Sequence, residues 1–269
     1  MSERKHSHYF KSVEGYAQAL AGNAGRGAVY TERAAMRTTI LDHGYLEIIE
    51  HWGSDERIVE AARMSTQKGF LGWGDNKAPG DEKLLRYLMQ NRHETPFEMA
   101  GMVIEVQAPI MALREWQRHR TQSYNEMSAR YAPLPAVDYL PTAERCLSVN
   151  GANKQANAVA GAAELTHDTA LAWLEKLAAY YAQGEALYQE GLSAGVPKEL
   201  ARLPLTVGRF SRMRASANLR NWLAFLTLRS DVLPSGKAAQ WEIRQYANAV
   251  AAAIAERFPR TYELFVSRS

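Results

Sequence analysis

The stretch Arg114–Tyr131, REWQRHRTQSYNEMSARY, holds four arginines, two glutamates, one histidine, two serines and three aromatic rings in eighteen residues. Charged side chains are rarely buried without partners, so this is poor core material. Tryptophan and tyrosines interleaved with the charges make it an equally poor solvated face. An anionic ligand carrying a flat ring satisfies both halves. If Arg118–Arg120 leave a preceding helix in extended form, Arg118 and Arg120 share one side while His119 points away. Two guanidiniums converging on one place make a clamp for a phosphate or pyrophosphate. Glu126, Ser128 and Arg130 repeat at period two and in extended chain share a face. That face offers an acceptor, a hydroxyl and a fork donor to a polar ring and its sugar. Mutual pairing of Arg118, Glu126 and Arg130 is the alternative, and it leaves Arg114, Arg120 and His119 unexplained.

A second group of arginines lies in the C-terminal half: Arg202, Arg209, Arg212, Arg214, Arg220 and Arg229. Arg202 and Arg229 read as parts of apolar helices (ELARLPL and FLTLRSD), where a cation is costly unless it meets an anion or snorkels to water. No nucleophile is supported. Cys146 sits among small residues with no histidine nearby, and Ser123 and Ser128 lack an assigned base. Neither GxGxxG nor GxxxxGK[ST] occurs, and His43, His51, His93, His119 and His167 do not follow HExxH spacing. A catalytic metal is therefore not expected, and chemistry has to come from a bound cofactor.

Several function classes are excluded more cheaply. A formal net charge of +3 is too small to imply nucleic-acid binding. No apolar run is long enough for a membrane span, and the N-terminus lacks an apolar signal region. One cysteine rules out an internal disulfide and a CxxC metal knuckle. The cytoplasm is the expected location. With 269 residues the chain fits one large domain or two small ones.

The elements that must position these residues follow from pattern. Residues 1–37 are polar and glycine-spotted and read as an N-terminal extension, with His6 and His8 as a solvated pair. From Thr38 a short apolar run meets a turn at Asp42–Gly44. Ser54 or Asp55 caps a helix through RIVEAARMS, and a second amphipathic helix spans about Glu82 to Asn91. In RHETPFE, Pro96 pushes Thr95 out of the helical region, so the chain is expected to be extended with His93 and Thr95 on one side. A strand is expected over 99–109, then a helix from Pro109 delivering Arg118. Cys146–Gly161 resembles a surface insertion. A long helical pattern ends at Gly195, and a short helix opens at Pro197. The alternating TVGRFSRMRAS reads as a strand with one wet side, Asn218 as a helix cap, and Ala238–Phe258 as a last helix. Without a regular βαβ alternation the class is α+β, with a mixed sheet flanked by helices and a largely helical second half.

These residues together resemble the flavin-dependent thymidylate synthases. RHRTQSYNEMSARY matches the family signature of Arg-His-Arg, seven residues, then serine, which places that serine at Ser128. AARMS (61–65), HETPFE (93–98), API-x-A-x-R-x-W (108–116), ARLPL (201–205), N-x-R-x-x-x-x-F-L-x-L-R (218–229) and AQWEI (239–243) follow in family order. The resemblance implies a single catalytic domain over 38–269 in a homotetrameric α+β enzyme with sites shared between subunits. It implies FAD, NADPH, methylene-tetrahydrofolate and dUMP as ligands, and methylation of dUMP at the fifth ring carbon without a cysteine nucleophile. By matched position, Ser65, Thr95, Arg118, His119, Arg120, Glu126, Asn218 and Arg220 resemble FAD-binding residues. Glu115, Trp116, Gln117 and Arg118, then Glu126, Met127, Ser128, Ala129 and Arg130, with Arg202 and Arg229, resemble the nucleotide site. Arg229 resembles the catalytic arginine that holds uracil and favours ionisation of its ring nitrogen. Ser128 is assigned to the nucleotide phosphate.

The sequence departs from the family pattern in four places. Glu115 stands where glutamine is usual, Met99 where a histidine follows PFE, and Ala224 where asparagine is common. VLPSGKA (232–238) is inserted before AQWEI, where a flavin-contacting histidine is missing. Two alternatives stay open on sequence alone: a flavin-dependent pyrimidine-nucleotide hydroxymethylase on the same scaffold, and a non-enzymatic nucleic-acid-binding module.

Overall fold

The structure is a computed structural model and describes residues 37–74, 80–148, 157–159 and 161–267. The expected extension with His6 and His8, and most of the expected insertion at 146–161, lie outside the described residues.

Five strands form one sheet in the order β1-β2-β3-β5-β4, with β1 at Thr38–Ile40, β2 at Gly44–Trp52, β3 at Gly101–Pro109, β4 at Ser123–Glu126 and β5 at Phe210–Asn218. The α+β class holds, but every strand pairing among the described residues is antiparallel where a mixed sheet was expected. The alternation in β3 and β5 separates two faces. Met102, Ile104, Val106 and Ala108 of β3, with Met213, Ala215 and Ala217 of β5, are buried against the helices. The opposite face carries a cross-strand polar set. Arg214 Nε donates to Glu105 Oε2 at 3.0 Å, Tyr45 Oη to Glu105 Oε1 at 2.9 Å, and Arg212 Nε to Gln107 Oε1 at 3.0 Å. Burial opposes ionisation of Glu105, yet the bonds from Tyr45 and Arg214 outweigh it and hold the carboxyl below its usual range.

Among the described residues, nine α-helices follow, most of them from local signals. Ser54 Oγ accepts from Arg57 N at 3.4 Å and caps α1, Asp55–Arg63. Helix α2, Asp81–Gln90, buries Leu85, Leu88 and Met89 at helical spacing. Between α2 and β3 the chain is not extended. Thr95–Met99 forms a 3-10 turn with Pro96 in its first positions, where the missing N–H costs nothing, so the RHETPFE expectation fails. Helix α3 spans Ile110–Trp116, α4 Ala143–Leu147, α5 His167–Ser193 and α6 Lys198–Ala201. Asn218 Oδ1 accepts from Asn221 N at 3.0 Å and caps α7, Leu219–Arg229. The inserted Pro234–Ala238 folds as a 3-10 turn before α8, Trp241–Arg257.

A ninth helix, α9 at Pro259–Val266, follows where the sequence pattern ended. Its N-terminus is capped from far away. Asp55, at 3% exposure, accepts from Arg260 N at 2.9 Å, Thr261 N at 3.2 Å and Thr261 Oγ1 at 2.6 Å. The core lies between the sheet and α3, α7 and α8. Trp116 stacks on Phe225 at 4.8 Å and 19°, and Trp222 and Tyr246 close the cluster. Each such ring contributes roughly 1.5–3 kcal/mol by burial, and the stacked pair about 0.5–1.5 kcal/mol more. By contrast the long α5 buries only Ala170, Leu174 and Tyr188, and leaves Leu171, Trp173, Tyr180 and Leu187 exposed.

Candidate active site

One stripe of α7 organises the signature. Asn221, Phe225 and Arg229 stand four residues apart and therefore share a face of the helix. Asn221 Nδ2 donates to Thr121 O at 2.9 Å, the Phe225 ring meets the His119 ring edge-on at 4.9 Å, and Arg229 Nε donates to His119 Nε2 at 2.9 Å. The segment after α3 thus lies along α7 and is wound rather than extended. Arg118 N bonds to Glu115 O, His119 N to Trp116 O and Gln122 N to His119 O, at 3.3, 3.0 and 3.3 Å. Tyr124 Oη fastens the turn by donating to His119 O at 2.7 Å, and burial pushes its phenol up to about 12.

The winding still separates the side chains as their chemistry requires. Arg118 and Arg120 are exposed while His119 is half-buried. The guanidiniums of Arg114, Arg118 and Arg120 make no hydrogen bond or ion pair among the described residues, and Arg130 meets only the Tyr131 ring, at 5.6 Å. The mutual pairing of Arg118, Glu126 and Arg130 is therefore absent among the described residues. Glu126 instead accepts from Gln117 Nε2 at 2.9 Å. Strand β4 ends at Glu126, and Ser128 begins a turn whose O accepts from Tyr131 N at 3.0 Å. The expected period-two face across Glu126, Ser128 and Arg130 does not form, because β5 pairs with β4 only as far as Glu126. Met127 N still bonds to Arg212 O at 2.8 Å, and Ala129 is buried.

At the C-terminal end of α7, Arg229 forms an ion pair with Glu115 through Nη1. Burial raises the Glu115 carboxyl above its usual range, against the pull of Arg229. Burial, aided by the Arg229 charge, lowers His119 to about 4. His119 is therefore a neutral acceptor at physiological pH, protonated on Nδ1 while Nε2 receives Arg229. Trp116 points away from this cluster into the core, with Nε1 donating to Gln122 Oε1 at 3.0 Å.

The other end of α7 gathers a second set. Arg220 pairs with Glu94 and Glu98 at 2.5 and 2.6 Å, on either side of Thr95, and Asn218 lies just before it. Ser65 and Thr95 are exposed. The helix that precedes Ser65 packs on the Thr95–Met99 turn, as does α7. Met99 and Ala224, two positions of departure, are both exposed.

The second arginine group divides. Arg229 belongs to the site. Arg202 is not inside a helix: α6 ends at Ala201, and Arg202 is exposed with Nε donating to Glu199 O at 3.3 Å. Arg209 is buried at 2% exposure, paired with Glu185 and Asp138, and donates to Pro135 O at 3.1 Å. That arginine ties α5 to the sheet, and its remaining donor, Nε, is unpaired but buried out of a ligand's reach. Sequence reasoning missed Asn221, Phe225, Gln122 and Tyr124, which hold the signature turn. The four-residue spacing of Asn221, Phe225 and Arg229 was the signal for the first two.

Unpaired guanidiniums around a half-buried arginine–glutamate–histidine cluster define a site for an anionic ligand with a flat ring. Comparison with known proteins specifies it. A family model described as "Thymidylate synthase complementing protein" matches residues 47–260. The chain is 35% identical over 231 residues to the flavin-dependent thymidylate synthase of Thermotoga neapolitana, covering 86% of this chain and 94% of that one. It is 39% identical over 228 residues to a flavin-dependent thymidylate synthase of Thermus thermophilus, covering 84% and 77%. Among solved structures, the UMP/dUMP methylase PolB of Streptomyces cacaoi bound with 5-Br dUMP superposes with a TM-score of 0.73 at 32% identity, over 86% of this chain and 97% of that one. The same methylase bound with 5-Br UMP gives a TM-score of 0.70. The chain belongs to the flavin-dependent thymidylate synthase family.

Proposed function

We infer that this chain methylates dUMP at the fifth carbon of uracil to give dTMP, as an FAD-dependent thymidylate synthase. Methylene-tetrahydrofolate is the carbon donor and NADPH the reductant. The observation that carries the reading is the docking of the Arg118–Arg120 turn on α7, which sets free guanidiniums beside a fixed Arg229. The residues fit the cofactor. Arg118 and Arg120 offer unpaired charge to a pyrophosphate, and the exposed hydroxyls of Ser65 and Thr95, with Asn218 and Arg220, form a polar flank along the same helix. Held there in its reduced form, FAD would supply hydride chemistry. The chain's own residues bind and orient: Arg130 and Ser128 take the nucleotide phosphate with Arg202, and Gln117 and Glu126 meet its polar edge. Arg229, always charged, holds the ring and stabilises negative charge developing on it. Trp116 acts through its packing, by fixing the end of α3 from which Glu115 and Gln117 project.

The same proposal includes a catalytic domain over 38–269 preceded by an extension, a cytoplasmic location, no nucleic-acid partner, and a homotetramer with shared sites. The exposed apolar face of α5 supports the oligomer: a monomer rarely leaves Trp173, Tyr180 and Leu187, seven residues apart on one side of a helix, in water. Among the described residues no helix is long and apolar enough to cross a membrane.

The test is direct. Purified protein should carry an oxidised-flavin absorbance band that NADPH bleaches under anaerobic conditions, and should convert dUMP to dTMP with methylene-tetrahydrofolate. A colourless protein that takes up no added FAD overturns the proposal. A hydroxymethylated nucleotide as product moves it to a hydroxymethylase.

A further inference from the structure

The C-terminal end of α2 carries two arginines that the fold leaves unused. Arg86, Met89 and Gln90 stand three and four residues apart and share one face of α2. With Arg92, Leu264 and Ser267 they line a cavity of about 520 Å³ where α2 meets the end of α9. That volume is in the range of small-molecule sites. Among the described residues no carboxylate lines it, and the guanidiniums of Arg86 and Arg92 make no hydrogen bond or ion pair. The acids that sequence spacing would give them are taken. Glu82, one turn before Arg86, accepts from Arg260 Nη1 at 2.6 Å and from Gly74 N at 2.8 Å, and Glu94 pairs with Arg220.

Backbone geometry singles out Arg92. His93 N donates to Leu88 O at 2.9 Å and closes α2, which leaves Arg92 between them in the left-handed region at φ 55°. Glycine is the usual residue at that position of a helix end. The turn gains nothing from an arginine, so the side chain is the part with a use. We propose that this cavity binds a small organic phosphate, its phosphoryl oxygens held by Arg86 and Arg92 and its apolar body lying against Met89 and Leu264. Two guanidinium forks favour phosphate over carboxylate, because a carboxylate fills one fork and a phosphate offers oxygens to both. The negative ends of α2 and α9 offset about one unit of the arginine charge, and the other is left for the ligand. Gln90 adds an exposed amide, and buried Met89 supplies an apolar wall. The cavity shares no residue with the flavin and nucleotide sets above, so the inference stands apart from the proposed function.

Phenyl phosphate is the probe, set against inorganic phosphate, which lacks the ring, and benzoate, which lacks the phosphate. Each is titrated calorimetrically into flavin-loaded enzyme holding one equivalent of dUMP per chain. Phenyl phosphate should bind once per chain, and more tightly than the other two. Arg86→Gln and Arg92→Gly should each weaken it about tenfold, with flavin content and dUMP affinity unchanged. Glycine suits the left-handed position, so Arg92→Gly should melt no lower than wild type, which separates loss of binding from loss of fold. Phenyl phosphate binding that is absent, or equal in wild type and both variants, overturns the proposal. Benzoate binding as tightly as phenyl phosphate overturns the choice of phosphate.

Discussion

Acid should unlock the signature turn through His119. Burial beside Arg229 lowers its imidazole from 6.5 to about 4, so the fold holds it neutral. Between those values the unfolded chain binds a proton that the folded chain refuses. Stability from this site is therefore complete above about pH 6.5 and is lost progressively as pH falls toward 4. At about 1.36 kcal/mol per unit, the shift sets a ceiling of about 3.4 kcal/mol. His119 is half-buried, and solvent screening reduces the expected loss to roughly 2 kcal/mol. The perturbation is His119→Gln, which removes the titration but keeps an oxygen able to accept from Arg229 Nε. Urea unfolding of both proteins, at fixed protein and FAD concentration, is followed from about pH 7.5 down to about pH 4.5. Wild type should lose roughly 2 kcal/mol more than the variant over that interval. The carboxylates titrate in both proteins and largely cancel in the difference. Parallel curves would refute the assignment of His119 as a buried neutral acceptor.

Two further outcomes follow from other parts of the molecule. Arg229→Ala should lower kcat by about a hundredfold or more, the scale of a lost electrostatic stabiliser, while the flavin absorbance band stays unchanged; retained turnover would remove Arg229 from the ring site. Asp55→Ala strips three hydrogen bonds from the start of α9 in a buried setting and should cost about 3 kcal/mol, read as a lower urea midpoint. An unshifted midpoint would show that α9 is held by its apolar face alone.

Features that depend on nearby residues were legible in the sequence, and features set at long range were not. The caps at Ser54 and Asn218 are satisfied within three residues, so the side chain and its target appear in one short window. Strand β5 was legible because Arg212 and Arg214 alternate with Met213 and Ala215. The signature announced its chemistry because cations and rings crowded into one stretch. Its backbone shape was not legible, since the turn is fixed by Asn221, a hundred residues from Thr121, and by packing on Phe225. Pro96 misled in the same way. The rule that removes its predecessor from the helical region describes a preference, and packing of the Thr95–Met99 turn between α1 and α7 overrides it. Arg209 was grouped with the other C-terminal arginines without a partner in view, because its counter-ion Glu185 sits on another element.

The Asp55 cap also sets an order of events in synthesis. Its partner Thr261 lies 206 residues downstream, so the first helix is translated long before the group that completes it. Until α9 clears the ribosome, the Asp55 carboxyl has neither its backbone donors nor its hydroxyl, and the core strands β3 and β5 wait for one another across a gap of similar kind. Such late, distant closures slow folding and prolong exposure of unpaired strand edges in the nascent chain. A message truncated before Pro259 would yield a chain with every signature residue in place and the Asp55 carboxylate stripped of the three donors that satisfy it.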